Sequence, residues 1–187
     1  MAYDRLHGCG LPDDVLLELA AELGSDVPFS LVGGTARGRG RGEVVEPVED
    51  LATWWWVAVP AAVGLSTPEV YAHFDHLHPH ALAEPAEPDD LFSALASGEP
   101  LRLARALHND LQPAAIDLRP ELGALIDRGE REGALRGLVS GSGPTCIFLC
   151  DSLDGANAVV DGLQGAGHDV VLIANGPVAG AHLLELP

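Results

Sequence analysis

Lysine is absent from the chain: all ten basic residues are arginines. No P-loop lysine, Schiff-base lysine or other catalytic ammonium can therefore come from these 187 residues. A genomic bias towards Arg, Ala, Gly and Pro codons accounts for the pattern, and the chemical exclusion holds whatever its cause. Cysteines number only three, an odd count that describes no disulfide framework. Cys146 and Cys150 share one face of an apolar run, Thr145–Cys150, but four residues of strand part them by roughly 13 Å, too far for one metal ion. Cys9 lies in a Gly-rich turn, and packed thiols are expected for all three. Positive charge is scarce as well, with 28 acidic against 10 basic residues and a net charge of -18. Such a surface repels phosphate backbones and anionic lipid. The one basic cluster, Arg37, Arg39 and Arg41, is too short to offset it, so neither nucleic acid nor membrane is an expected partner. No stretch approaches the roughly 20 apolar residues of a membrane span, and the N-terminus carries no signal pattern. Cytosol is the expected location.

What is present is a large apolar fraction, 47%, enough for a sizeable core and one or two small domains. Val15, Leu16, Leu19, Ala20 and Leu23 recur at helical spacing after Leu11-Pro12-Asp13-Asp14, and Gly24 suits the stop. Ser25–Phe29 reads as a compact loop. Five glycines follow between Gly33 and Gly42, then an expected strand at Glu43–Val48. Trp54–Val59 predicts another strand, in which three adjacent tryptophans alternate faces, so at least one ring belongs to the core.

Ser66-Thr67-Pro68-Glu69 opens a helix through Tyr71 and Phe74, with Ser66 as its cap. Pro79–Asp90, rich in Ala, Pro and Glu, reads as a loop or insertion. Helices are expected over Asp90–Ala96, Leu101–Leu111, Pro120–Glu132 and Asp154–Leu163, and strands over Thr145–Leu149 and Val170–Ala174. Strands interleaved with helices without regular alternation predict an α+β sandwich.

Few residues could carry chemistry. Asp26, at the end of a helix and before Val27-Pro28, is held by a stiff backbone. It could act as a general base towards a substrate hydroxyl; its position alone favours a turn cap. Ser140-Gly141-Ser142-Gly143 could point backbone N–H groups into one anion-holding concavity, or be an ordinary tight turn. Gly38–Gly42 lacks the Gly-x-Gly-x-x-Gly spacing of a dinucleotide loop. His73, His76, His78 and His80 read as a solvated helix end, since Pro79 breaks any ligand spacing.

Several of these segments together resemble one family. Leu23-Gly24-Ser25-Asp26-Val27-Pro28-Phe29, Gly33-Gly34-Thr35-Ala36 and Gly40-Arg41-Gly42-Glu43 come first. Leu65-Ser66-Thr67-Pro68-x-x-Tyr71, His108-Asn109-Asp110-Leu111-Gln112, Ser140–Pro144 and Asn175-Gly176-Pro177-Val178 follow in order. The set resembles the GHMP kinase superfamily and, within it, the 4-diphosphocytidyl-2-C-methyl-D-erythritol kinases of the non-mevalonate isoprenoid route, over essentially the whole chain.

That resemblance implies an α+β fold: a remnant of the GHMP N-terminal domain (ribosomal S5 domain 2-like) over residues 1–49, then a ferredoxin-like α/β sandwich C-terminal domain over 50–187. It implies ATP and Mg²⁺ as cofactors and a cytidine-diphosphate methylerythritol as the small-molecule substrate, in a monomer or homodimer. Asp26 matches the catalytic base, Tyr71 the aromatic that stacks on cytosine, with Thr67 and Pro68 beside it in the substrate-binding motif. Ser140, Gly141, Ser142 and Gly143 match the glycine motif near the nucleotide. The family's opening lysine and its Pro-x-x-x-Gly-Leu-Gly-x-x-Ser-Ser nucleotide loop are missing here, and Met1–Gly8 resembles the end of the helix after that loop. A chain that starts late in the family's sequence is implied, with little kinase activity alone and a tendency to aggregate. The competing readings are another GHMP kinase, of homoserine or mevalonate type, and a non-catalytic GHMP-derived binding domain.

Overall fold

The structure, a computed structural model, describes residues 2–61, 63–80 and 87–183. Half of the Pro79–Asp90 loop, residues 81–86, lies outside them. Two compact units emerge, one of Met1–Leu51 with Gly176–Pro187 and one of Ala52–Asn175. The segment from Gly176 thus joins the first unit, although the sequence order attached it to the second.

In the first unit, α1 (Ala2–His7), α2 (Asp13–Leu23) and α3 (Val27–Val32) precede a hairpin of β1 (Ala36–Arg39) and β2 (Val44–Pro47). Helix α2 starts on Asp13 and Asp14, whose charges complement the helix dipole, and Gly24 returns its N–H to the Ala20 carbonyl at 3.2 Å. The buried Asp4 organises the turn before α2, its Oδ1 accepting the Leu11 N–H at 2.8 Å. Cys9, in that turn, is exposed, which corrects the expectation of a packed thiol: a Cβ on either flanking glycine, Gly8 or Gly10, would meet nothing within 4 Å, so the turn stands open. Ser25–Phe29 is not wholly a loop either. Pro28, its φ preset for the first helical turn, opens α3. The Gly-rich stretch is partly strand, pairing antiparallel from Ala36↔Pro47 to Arg39↔Val44. The chain end returns to α3, with Gly34 N–H donating to Val178 O at 2.7 Å and Ala181 N–H to Ser30 O at 2.8 Å. Tyr3, Leu6 and Leu23 are exposed large apolar residues of this unit.

The second unit runs β3 (Trp54–Val59), α4 (Thr67–Leu77), α5 (Asp89–Ser97), α6 (Pro100–Ala106), α7 (Gln112–Leu118), α8 (Pro120–Arg131), β4 (Arg136–Val139), β5 (Cys146–Cys150), α9 (Leu153–Gly165) and β6 (Leu172–Gly176, which closes just into the first unit). The sheet order is β4-β5-β3-β6, with β5 antiparallel to both neighbours. Numbered within the unit that order is 2-3-1-4, the arrangement of a β-α-β-β-α-β ferredoxin-like sandwich, with α4–α8 inserted in the first crossover.

Register explains the core. Val57↔Phe148 and Val59↔Cys146 pair across β3 and β5, and Gly137↔Phe148 and Val139↔Cys146 pair across β4 and β5. All lie on one face, which packs with Leu122, Ile126, Val159 and Leu163 from α8 and α9. Cys146 and Cys150 belong to that face and are buried as expected; burial pushes both thiols up to about 11. Phe148 fits only because two glycines make room: a Cβ on Gly129 would collide with its ring, and one on Gly137 would come within 2.9 Å of it. Trp55 packs against the same core, whereas Trp54 is buried on the opposite face.

The expected helix Leu101–Leu111 ends at Ala106 instead, and a second helix, α7, begins at Gln112. Leu107 leaves the helix with φ -65° and ψ 128°, Asn109 in the break bonds the Val139 and Gly141 carbonyls, and Pro113 lies in the first turn of α7, where its fixed φ is tolerated. Ser66 sits at the head of α4 without a side-chain cap bond. Its hydroxyl is not needed there, because Thr67 and Pro68 occupy the first turn. Ser152, not singled out from sequence, does cap α9, its Oγ accepting the Gly155 N–H at 3.0 Å. No helix among the described residues is long and apolar enough to cross a membrane.

Candidate active site

Asp26 directly precedes α3, with φ -90° and ψ -9°. It occupies a capping position yet its side chain makes no cap bond, so the turn-cap reading is not what the geometry shows. The residue is exposed, and among the described residues its carboxylate has neither an ion pair nor a hydrogen bond. It borders a cavity of about 260 Å³, whose other walls are Phe29 of α3 and Ala36, Gly38, Gly42 and Val45 of the hairpin. The hairpin turn itself is set by Glu43. Its Oε2 accepts the Arg41 N–H at 2.6 Å. Hydrogen bonds from its own backbone N–H and that of Arg41 hold the carboxyl below the usual carboxylate range.

In the second unit, Ser140–Gly143 forms the tip of the β4–β5 hairpin. Ser140 N–H donates to Thr145 O at 2.8 Å, and Gly143 N–H to Ser140 O at 2.9 Å. Gly141 and Gly143 take φ of +57° and +85°, a region that favours glycine. Two of the turn's amides are therefore consumed internally. Those of Gly141 and Ser142 have no acceptor among the described residues, which leaves two donors free at the tip of the turn.

That tip is anchored from outside. Asn109 Nδ2 donates to Val139 O and to Gly141 O, each at 2.8 Å, while its Oδ1 accepts the Leu111 N–H at 3.0 Å. Gln112 Oε1 accepts the Val139 N–H at 2.9 Å. Asn109 and Gln112 lie in a quoted motif, but nothing in their spacing announced this role. An Asn in a break between two helices, followed three residues later by a Gln at a helix start, is the only local trace.

Thr67 and Ser142 meet, their hydroxyl oxygens 2.8 Å apart. The structure so brings the start of α4 to the glycine turn, joining two segments 75 residues apart. Tyr71 lies one helical turn beyond Thr67, on the same side, and is 53% exposed. Pro68 is exposed in the first turn of α4. Further along α4, His73 Nε2 lies 2.6 Å from Asp117 Oδ2 of α7, and the rings of His73 and His76 stack at 6.2 Å. His73 thus joins α4 to α7, while His76, His78 and His80 are exposed, the solvated helix end expected from sequence, and among the described residues there is no group of three or more His, Cys, Asp or Glu side chains that could hold a metal ion.

Known proteins resemble the chain in sequence and in fold. Residues 91–169 match the family model GHMP kinases C terminal. The chain is 66% identical over 185 residues to the 4-diphosphocytidyl-2-C-methyl-D-erythritol kinase of Nocardioides sp., covering 99% of this chain and 62% of that protein. It is 52% identical over 189 residues to the kinase of the same name from Nocardia farcinica, covering 61% of it. A crystal structure of a 4-(cytidine 5'-diphospho)-2C-methyl-D-erythritol kinase superposes with a TM-score of 0.74 at 29% identity, over 93% of this chain and 60% of that one. A homoserine kinase from Cytophaga hutchinsonii, at 18% identity and a TM-score of 0.70, shares the fold. The chain thus spans about three fifths of the length of the relatives it matches, and within that span it is similar in sequence and fold to GHMP kinases, whose C-terminal family model its residues 91–169 match.

Proposed function

We propose that the chain serves the phosphorylation of the 2-hydroxyl of 4-diphosphocytidyl-2-C-methyl-D-erythritol by ATP, a step of non-mevalonate isoprenoid biosynthesis. The observation that carries the reading is the Asp26 carboxylate, exposed at a cavity mouth and unpaired among the described residues. A carboxylate committed to a cap or ion pair would have its lone pairs occupied; this one is available to take a proton. The acceptor hydroxyl gives its proton to Asp26 as its oxygen bonds to the γ-phosphorus, and the bond from that phosphorus to the β–γ bridging oxygen breaks, releasing ADP.

Tyr71, exposed on α4, offers a ring face on which the cytosine can stack, with Thr67 and Pro68 shaping the start of that helix. The Ser140–Gly143 turn presents the Gly141 and Ser142 amides towards nucleotide phosphates. Among the described residues no group of three or more His, Cys, Asp or Glu side chains gathers, so a magnesium ion here would be held chiefly by the substrate phosphates and would neutralise their charge; the proton step at Asp26 does not run through it. Without lysine, the chain supplies no ammonium to the triphosphate, so turnover by the chain alone is expected to be slow or absent. The identity of 66% and 52% to kinases of this one name, against 18% to a homoserine kinase, supports this reading over the other GHMP kinases.

Calorimetry on the purified chain tests it. The cytidine-diphosphate substrate should bind with an affinity that cytidine nucleotides compete for and that Tyr71→Ala weakens, and any phosphoryl transfer should vanish in Asp26→Asn. Binding of homoserine or mevalonate in its place, or equal binding by the Tyr71→Ala variant, would overturn the assignment.

A further inference from the structure

The Asp26 cavity is lopsided in its chemistry. Of its six lining residues only Asp26 carries a polar side chain; the rest are Phe29, Ala36, Val45 and two glycines. The backbone explains the arrangement. Ala36 and Gly38 are two apart on β1 and so share a face, and Gly38 lies directly opposite Val45 on β2. Asp26 and Phe29 are three apart at the start of α3, on one side of it. Gly38 lets Gly42, the other glycine of the lining, approach closely, since a Cβ on Gly38 would come within 3.2 Å of Gly42 Cα.

Size restricts what enters. Sites for whole drug-sized ligands occupy roughly 300–1,000 Å³, so about 260 Å³ accepts only part of a nucleotide-sized substrate, namely the acceptor carbon and its immediate substituents. Polarity restricts it further. A hydroxyl turned towards Val45 or Ala36 would leave water without gaining a partner, which is unfavourable, whereas a hydrocarbon substituent there gains by leaving water.

We infer that Val45, with Ala36 and Phe29, forms a specificity wall that accepts a hydrocarbon branch on the carbon bearing the acceptor hydroxyl, so that the Asp26 site selects branched alcohols over unbranched polyols. This rests on the proposed function and sharpens it: the wall seats the methyl group of the substrate, and Asp26 faces the hydroxyl beside it.

The experiment compares the methylated substrate with its analogue carrying hydrogen in place of that methyl, by calorimetry on the purified chain. Wild type should prefer the methylated compound by about tenfold or more, the usual worth of a methyl in an apolar pocket. Val45→Thr, which keeps the shape of the side chain but adds a hydroxyl, should lower that preference while circular dichroism stays native. Val45→Ala should admit an ethyl-branched analogue that wild type rejects. Wild type that binds both compounds equally overturns the wall while leaving the kinase reading intact, as does a preference unchanged in both Val45 variants. Wild type that binds neither compound overturns the kinase reading, and the wall with it.

Discussion

The hydroxyl oxygens of Thr67 and Ser142 lie 2.8 Å apart, which ties the first turn of α4 to the tip of the β4–β5 hairpin. The contact is exposed, so water competes for it and Thr67→Val should cost under about 1 kcal/mol in chemical denaturation. Asn109→Ala should cost more, about 1–3 kcal/mol, because it strips the side-chain donor from the Val139 and Gly141 carbonyls. If the two variants unfold at the same denaturant concentration, the anchoring role assigned to Asn109 is wrong.

Asp26→Asn should leave stability within about 0.5 kcal/mol of wild type, since the carboxylate has no partner among the described residues and surface changes of that kind are near neutral. A helix cap would instead cost about 0.5–2 kcal/mol on removal of its side-chain acceptor, as in Asp26→Ala. Thermal unfolding of both variants separates a residue held ready for chemistry from one that holds a helix.

The Phe148 ring occupies space vacated by Gly129 and Gly137. Gly137→Ala should destabilise by about 1–3 kcal/mol through overpacking, and Phe148→Leu in the same chain should recover part of the loss. A Gly137→Ala variant as stable as wild type would mean that the ring has room to move.

The buried thiols set a pH dependence at the alkaline end. Cys146 and Cys150 titrate at about 11 in the fold, raised from 9.0 by burial. A group whose folded value is the higher one favours the folded state below its unfolded value. That contribution is present in full below pH 9.0, declines between there and about 11, and is lost above. The native chain at pH 8 should accordingly be alkylated at the exposed Cys9 and at the other two only after unfolding. Mass spectrometry of tryptic peptides reads this directly. Modification of Cys146 in native protein at the rate of Cys9 contradicts the packing.

Much of this molecule was legible before any coordinates. The strand Trp54–Val59 was read to the residue, and the helices over Asp13–Leu23, Pro120–Arg131 and Leu153–Gly165 to within a few residues, because each carries a strong period or run with its own stops. Strands β1 and β4 were missed. Ala36-Arg37-Gly38-Arg39 has no apolar alternation, and Arg136-Gly137 opens a strand with residues that disfavour one; each is held in its sheet by a partner strand. The break at Ala106 was missed because Leu107 and Leu111 continue a helical period, whereas Asn109 between them is held by the distant Val139 and Gly141 carbonyls. Of the candidate site, Asp26, Tyr71 and the glycine turn were visible as motifs, whereas Asn109 and Gln112 were visible only as letters within one.

The order of residues alone determined which chemical groups this chain owns: one carboxylate beside a stiff Val-Pro pair, a glycine-serine turn, an aromatic in a helix, and no ammonium outside the N-terminus. Those facts are local and survive any rearrangement of the chain. Tertiary structure decided which groups are spoken for. Asp26 has no partner among the described residues, while Asp4, the same side chain, is drawn inward to hold the Leu11 amide. Asn109 clamps a turn 32 residues away, and the chain end returns to α3. A hydrogen bond or a packed ring depends on which atoms arrive within about 3–4 Å of one another, and between segments so distant in sequence only the folded chain sets that distance.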